Sequence, residues 1–233
     1  MQEVKRISFS ELKNWKECPH RHKLIHIDKL PYFEGNEFTA FGTAIHEACE
    51  KTIPESKPNS LDVFEHSFLK ELRTLKEEGK ELNVSLISDM RRQAVPICEQ
   101  VLPAAKEHFG AFEVFSVEEQ ILEPIREFDS RGRNFKGFID MVIKTPDGKY
   151  HVIDWKTCSW GWSRDKKSDP MTNYQLTYYK NYFSKKHNIE PSQVETYFVL
   201  LKRTAKKDNV EVVKVTSGVK KTENSLKLLE NAV

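Results

Sequence analysis

The spacing of apolar residues changes once along this chain, near residue 112. Before that point it is helical. Leu61, Phe64, Phe68, Leu72 and Leu75 mark one stripe over 61–79, ending at Gly79. Residues 8–18 open with Ser8 or Ser10 as a helix cap, and Glu11, three after Ser8, completes a capping box ahead of Leu12 and Trp15. A second helix is expected from about Ala40 to Thr52, stopped before Pro54. Another spans about 84–108, with Pro96 and Pro103 expected to kink or divide it.

Beyond residue 112 the period shortens. Phe112 to Leu122, Phe135 to Lys144 and Tyr150 to Lys156 read as strands rich in β-branched and aromatic residues. Residues 159–172, "SWGWSRDKKSDPMT", read as a loop and Asn173 to Lys186 as a helix. Glu195 to Lys202 and Val210 to Thr216 read as two more strands, and Val219 to Val233 as a short tail helix. Strands bracketed by helices predict an α/β fold, a mixed central sheet flanked by helices with an N-terminal helical lobe. The expected organisation is one domain over 1–233. Residues 1–110 are mainly helical, 111–216 carry the sheet and 217–233 form the tail.

Composition narrows little. Charged residues at 31% and hydrophobic ones at 38% suit a water-soluble fold, and a net charge of +2 argues neither for nor against an anionic partner. Local basic clusters, Arg91-Arg92, Arg164-Lys166-Lys167, Lys185-Lys186, Lys202-Arg203, Lys206-Lys207 and Lys220-Lys221, would form a phosphate track only if they converged on one groove. No apolar run approaches the roughly 20 residues that span a bilayer. The start, "MQEVKRISFS", lacks a signal peptide's apolar stretch, so a cytoplasmic protein with no membrane partner is expected. Cys18, Cys49, Cys98 and Cys158 include no C-x-x-C pair, so neither a zinc site nor a disulfide framework is indicated.

The chemistry concentrates in "HVIDWKTCSW", residues 151–160, where Asp154 and Lys156 interrupt an apolar strand. The preceding "TPDGK", residues 145–149, is a turn signal with Gly148 free to take positive φ. If Thr145 pairs with Lys149, counting outward sets Asp140 opposite Asp154, where facing Cβ atoms lie about 5 Å apart. Lys156 shares the face of Asp154 by alternation. An exposed hairpin could carry such charges on its wet face, but "FKGFIDMVI" and "YHVIDWKT" are apolar around them. A buried acidic pair is costly unless it coordinates a metal. A hard divalent cation such as Mg²⁺ or Mn²⁺ suits it, with the lysine orienting water or offsetting charge on a phosphate.

Gly137-x-x-Asp140 followed by Asp154-Trp155-Lys156 resembles the PD-(D/E)XK nuclease superfamily. Within it the chain is similar to the RecB-like branch, which includes CRISPR-associated RecB-like nucleases. The resemblance runs over roughly residues 7–203. "ISFSELKNWKECPHRHKL" is similar to the N-terminal segment, through Ser10, Leu12, Cys18, Pro19 and Arg21. "FGTAIHEACE" carries the Gly-x-x-x-His helix with Gly42 and His46, "SVEEQI" falls where the family places a strand glutamate, and "QLTYY" gives Gln175 and Tyr179. The resemblance implies a restriction-endonuclease-like core. It implies that His46, Asp140 and Asp154 hold the metal with the backbone carbonyl of Trp155. Lys156 would be the catalytic lysine, and Gln175 and Tyr179, one helical turn apart, would position Lys156 or a phosphate. Glu118 fits the family's Val-Glu step, whereas Glu119 has the face parity of Val117 and Ile121; Glu118 is the favoured strand glutamate. Gly42 would permit close approach of its helix to the sheet. Glu50, one turn after His46, could reach the site but is expected on the helix surface.

Iron–sulfur relatives pair one N-terminal cysteine with three near the C-terminus. No cysteine follows Cys158, so such a cluster is not expected and Cys18 is read as a buried small hydrophobe. No Gly-x-x-x-x-Gly-Lys-Ser/Thr segment occurs. After Lys156, Trp160 and Trp162 alternate with Arg164, Lys166 and Lys167; they could stack unpaired bases and follow phosphates, or the tryptophans could cover an apolar edge. The expected activity is a metal-dependent nuclease, an exonuclease on single- or double-stranded DNA ends in recombination, repair or phage DNA metabolism. A structure- or site-specific endonuclease and a retired DNA-binding subunit are the rivals. A homo-oligomer or a recombination partner protein stays open, with no interface signature in the sequence.

Overall fold

The computed structural model describes residues 5–31, 34–55 and 60–233. A three-residue strand, β1 (Arg6–Ser8), runs into α1 (Phe9–Glu17). Ser8 is the cap, its Oγ accepting the Glu11 N–H at 3.2 Å. The box is only half made, because Glu11 Oε1 turns to His22 Nε2, 3.1 Å away. α2 (Pro19–His22) comes next and runs into a π-helical turn, Lys23–Ile27. Cys18 is not the buried hydrophobe the sequence suggested. It is half-buried and caps α2, its Sγ accepting the Arg21 N–H at 3.4 Å, while Cys49 and Cys98 are the buried thiols.

Three long helices succeed it: α3 (Glu37–Glu55), α4 (Ser60–Glu77) and α5 (Val84–Phe109). Proline interrupts none of them. Pro54 sits in the last turn of α3, where only one intrahelical bond is forfeited. Pro96 and Pro103 lie within the continuous α5, whose buried stripe of Met90, Ala94, Ile97, Val101 and Ala105 outweighs the local preference against them.

The sheet strands are β2 (Glu113–Pro124), β3 (Asn134–Lys144), β4 (Tyr150–Cys158), β5 (Val194–Lys202) and β6 (Val210–Val215). Between β4 and β5 lie α6 (Arg164–Ser168) and α7 (Pro170–His187), and α8 (Val219–Ala232) closes the chain. The stretch read as a loop over 159–172 therefore holds a short helix, and α7 starts three residues early. Asp169 caps α7 through the Thr172 N–H at 2.8 Å, with Pro170 in its first turn.

Among the described residues the sheet has six strands, and this mixed α/β architecture is the restriction-endonuclease-like fold expected. β4 and β5 are parallel, joined across α7, and their central residues are buried on both faces. The Thr145–Lys149 turn closes the β3–β4 hairpin in the expected register, with Gly148 at φ +82°. α3, α4 and α5 cover one face against Met141, Ile143, Ile153, Trp155, Val199 and Leu201. α7 and α8 cover the other, against Phe135, Ile139, Val142, Val152, Phe198 and Leu200.

Besides the register shift between Val114 and Ser116, the sheet is irregular in two places, both near the middle of β3. β2 pairs with β3 along its whole length, so β1 and β4 share the opposite edge, at Asn134–Lys136 and Met141–Lys144. Residues 137–140 have no strand on that edge. Alternation also fails at the same level. Ile139 packs toward α7 but Met141 toward α3, and opposite them Glu119 reaches α7 while Val117 packs toward α3. Between them Glu118 faces Asp140 in the register with a left-handed φ of +49°, a conformation that costs a non-glycine residue about 1 kcal/mol or more.

Candidate active site

The break in the edge of β3 brings four elements together. Where the ladder stops at Met141–Ile153, the Asp140 carboxylate replaces a strand carbonyl, its Oδ2 accepting the Trp155 N–H at 2.7 Å. From α3, His46 Nδ1 approaches the same oxygen to 3.9 Å. Asp154 is 2% exposed, with Lys156 Nζ 2.5 Å from its Oδ2. From α7, Gln175 Nε2 donates to Asp154 Oδ1 at 2.9 Å and lies 3.3 Å from the Tyr179 hydroxyl. Gly137 makes room for that tyrosine, since a Cβ there would sit 2.7 Å from Tyr179 Cε1. Gly42 is not needed in the same way. A Cβ at 42 would meet Thr157 Oγ1 at 3.6 Å, an ordinary contact, so the approach of α3 does not depend on glycine.

The electrostatics follow from burial. The Asp140 carboxyl is held well above the usual range by desolvation and then by the charge of Asp154, against Lys156 and the Trp155 N–H. Asp154 is raised too, burial outweighing the attraction of Lys156. Burial and the nearby Lys156 lower His46 to about 4, so its imidazole is neutral at pH 7. Glu50 does not lie free on the helix surface. It is half-buried beside Glu118, with Oε1 buried and unbonded, and burial followed by the Glu118 charge raises it to about 8.

Two carboxylates and a neutral imidazole are the donor types a hard divalent cation takes. Chemically the residues fit such an ion. Their side chains are turned to separate partners, and among the described residues no three His, Cys, Asp or Glu groups close on one point.

The other residues singled out from sequence divide. Glu119 is buried away from this cluster, bonded to Lys186 at 2.7 Å and His187 at 2.5 Å. Trp162 packs on Phe198 with Lys166 Nζ 4.7 Å above its ring, and both line a cleft of about 370 Å³ with Lys156 and Gln175. Trp160 projects into solvent. Lys167 is tied to Glu211, and Arg164 is exposed on α6. Several basic clusters are neutralised locally: Arg91 by Glu65, Arg92 by Asp89, Lys185 by Glu127, Lys186 by Glu119 and Lys202 by Glu211. A second cleft, about 420 Å³, opens at the gap in the β3 edge, lined by Arg6, Ser10, Lys136, Phe138, Gln175 and Tyr179. Arg6, Lys136 and Phe138 carried no site reading in the sequence, and Glu50 lies beside the site rather than on the helix surface. The two-residue step Lys136-x-Phe138-x-Asp140 was the available signal for the β3 pair.

A family model of the PD-(D/E)XK nuclease superfamily matches residues 6–232. No curated protein matches the chain by sequence. Among solved structures, the crystal structure of SSO0001 aligns over 95% of this chain and 82% of that chain, at 16% identity and a TM-score of 0.37. A likeness that slight bears on neither substrate nor mechanism. No helix among the described residues is long and apolar enough to cross a membrane.

Proposed function

The chain belongs to the PD-(D/E)XK nuclease superfamily, and from that premise we propose that it is a divalent-metal-dependent DNA nuclease, acting as an exonuclease on DNA ends. The observation that carries the reading is Lys156 and Asp154 in ion-pair contact at a sheet opening that also gathers Asp140 and His46. The RecB-like motifs around Gly42–His46 and Gln175–Tyr179 support the exonuclease form in recombination, repair or phage DNA metabolism. A reducing cytosol suits four free cysteines.

Asp140, Asp154 and the neutral His46 would hold Mg²⁺ or Mn²⁺, with the Trp155 carbonyl as a further oxygen. Such an ion lowers the pKa of water and offsets charge on the phosphate in an in-line displacement. Lys156, paired with Asp154, would turn its ammonium toward the attacked phosphate, where it balances developing charge and orients the nucleophilic water. Gln175 fixes Asp154 Oδ1, leaving Oδ2 to Lys156 and the ion, and Tyr179 holds Gln175. Glu50 flanks the site beside Glu118, and burial raises it to about 8, so it is protonated at neutral pH.

The test is degradation of 5′- and 3′-labelled oligonucleotides with Mg²⁺, Mn²⁺ or EDTA, beside Lys156→Ala. Metal-dependent cleavage, lost in the variant, is expected. Cleavage that persists in EDTA or in Lys156→Ala would sink the reading, and cutting of closed circular DNA would favour an endonuclease.

A further inference from the structure

Resting on the nuclease reading, we propose that the gap in the β3 edge is a binding subsite for a single-stranded segment of the substrate, with Phe138 stacking an unpaired base and Arg6 and Lys136 holding its phosphates. Three independent observations converge there.

The first is direction. Lys136, Phe138 and Asp140 succeed one another at two-residue steps on β3, so they share a face up to the break at Asp140. At about 3.4 Å per residue, Phe138 stands roughly 7 Å and Lys136 roughly 14 Å along the strand from Asp140. The row therefore leads straight out of the candidate active site.

The second is charge. Six cations of the chain's basic clusters, Arg91, Arg92, Lys167, Lys185, Lys186 and Lys202, are spent on local carboxylates. Arg6 and Lys136 are not: among the described residues neither lies within ion-pair distance of a carboxylate, and both line the 420 Å³ cleft. The one carboxylate in that lining, Glu11, is turned to His22. Two uncommitted cations on one wall, with the Ser8 and Ser10 hydroxyls 3.0 Å apart beside them, form an anion-binding surface.

The third is the aromatic. Phe138 is 43% exposed where the strand edge is open, although its strand neighbours Phe135 and Ile139 are fully buried. Lys136 Nζ lies 5.3 Å from its ring centroid, so cation and ring already form one unit. Exposed aromatic plus free cation is the pairing that binds unpaired nucleotides without regard to sequence. A cleft of this volume takes a nucleotide-sized group and is far too small for a duplex. The second cleft, with Lys156, Trp162 and Lys166, meets this one at Phe9 and Gln175, which line both. A single strand can thus pass from Lys136 over the Asp140–Asp154 site toward Trp162.

Binding of fluorescein-labelled single-stranded and duplex oligonucleotides, measured by anisotropy in EDTA across a salt series, tests this on the full chain. Phe138→Ala should weaken single-strand binding by about 5- to 150-fold, the range for one lost base stack. Phe138→Tyr should restore it. Lys136→Ala and Arg6→Ala should each flatten the salt dependence by about 0.7 in log–log slope. Thermal unfolding of each variant checks that it folds. Equal single-strand affinity of Phe138→Ala and wild type, or a loss confined to duplex, overturns the subsite. Cleavage by the wild-type chain is scored separately. If it cleaves while Phe138→Ala binds normally, the subsite is wrong and the nuclease stands. If it never cleaves while Phe138→Ala binds weakly, the nuclease reading fails and the subsite stands.

Discussion

Replacing Glu50 by Gln should make the protein more stable at alkaline pH, because Glu50 is a carboxyl the fold keeps protonated. Its folded value is about 8 against an ordinary 4.5. Between those two values the folded chain retains a proton that the unfolded chain has released. Stability must then fall as pH rises through that window and level off above it. At pH 7 the full shift corresponds to about 3 kcal/mol, from roughly 1.4 kcal/mol per unit over the interval from 4.5 to 7. Glu50 is only half-buried, and solvent screening reduces that to about 1.5 kcal/mol. Glutamine keeps the shape and cannot ionise. The variant should equal wild type near pH 4.5 and exceed it by about 1.5 kcal/mol at pH 7, roughly 3–6 °C in Tm for a chain of this size, and by more at pH 8. Urea unfolding in EDTA at pH 5, 6.5 and 8 measures the slopes. Glu118→Gln provides a second arm. Burial outranks the Glu118 charge as the cause, so it should recover less than half of the slope. Identical pH slopes for wild type and Glu50→Gln would refute the reasoning.

Gly137→Ala should cost about 1–3 kcal/mol by forcing the Tyr179 ring aside, and should lower cleavage with it, while Gly42→Ala stays near neutral; calorimetry and turnover on the pair decide this. Ser8→Ala removes the α1 cap and should cost about 1 kcal/mol in chemical denaturation. Burial would raise Glu195, but Lys214, Tyr197 and Lys149 overcome it and hold the carboxyl at about 2. Its contribution is therefore present above pH 4.5 and lost as pH falls toward 2, and Glu195→Gln should flatten the acid limb of a Tm–pH curve. Mn²⁺ at about 100 times its Kd should stabilise wild type by roughly 2.7 kcal/mol and Asp154→Ala far less, read as a Tm shift that EDTA reverses.

Much of the core was legible in one dimension because its signals are local. Period-two apolar runs fixed β2 to β6, Pro-Asp-Gly fixed the β3–β4 register, and that register brought Asp140 to the level of Asp154. The side chains of Lys156 and Asp154 share a face by simple alternation. Strand β1, at three residues, is too short for any period to register, yet it defines the gap at which the candidate site opens. Pro96 and Pro103 looked like helix breaks because propensity is local, whereas the stripe that holds α5 together is buried by other helices. Only the tertiary structure could separate Glu118 from Glu119. Strict alternation allows either, and the left-handed Glu118 turns one toward Glu50 and the other toward Lys186. The same holds for charge. Sequence displays the clusters of Lys and Arg, but packing decides which of them meet a carboxylate. Two cations with no carboxylate partner among the described residues, Arg6 and Lys136, lie 130 residues apart in the chain and line one cleft because β1 and β3 are parallel neighbours.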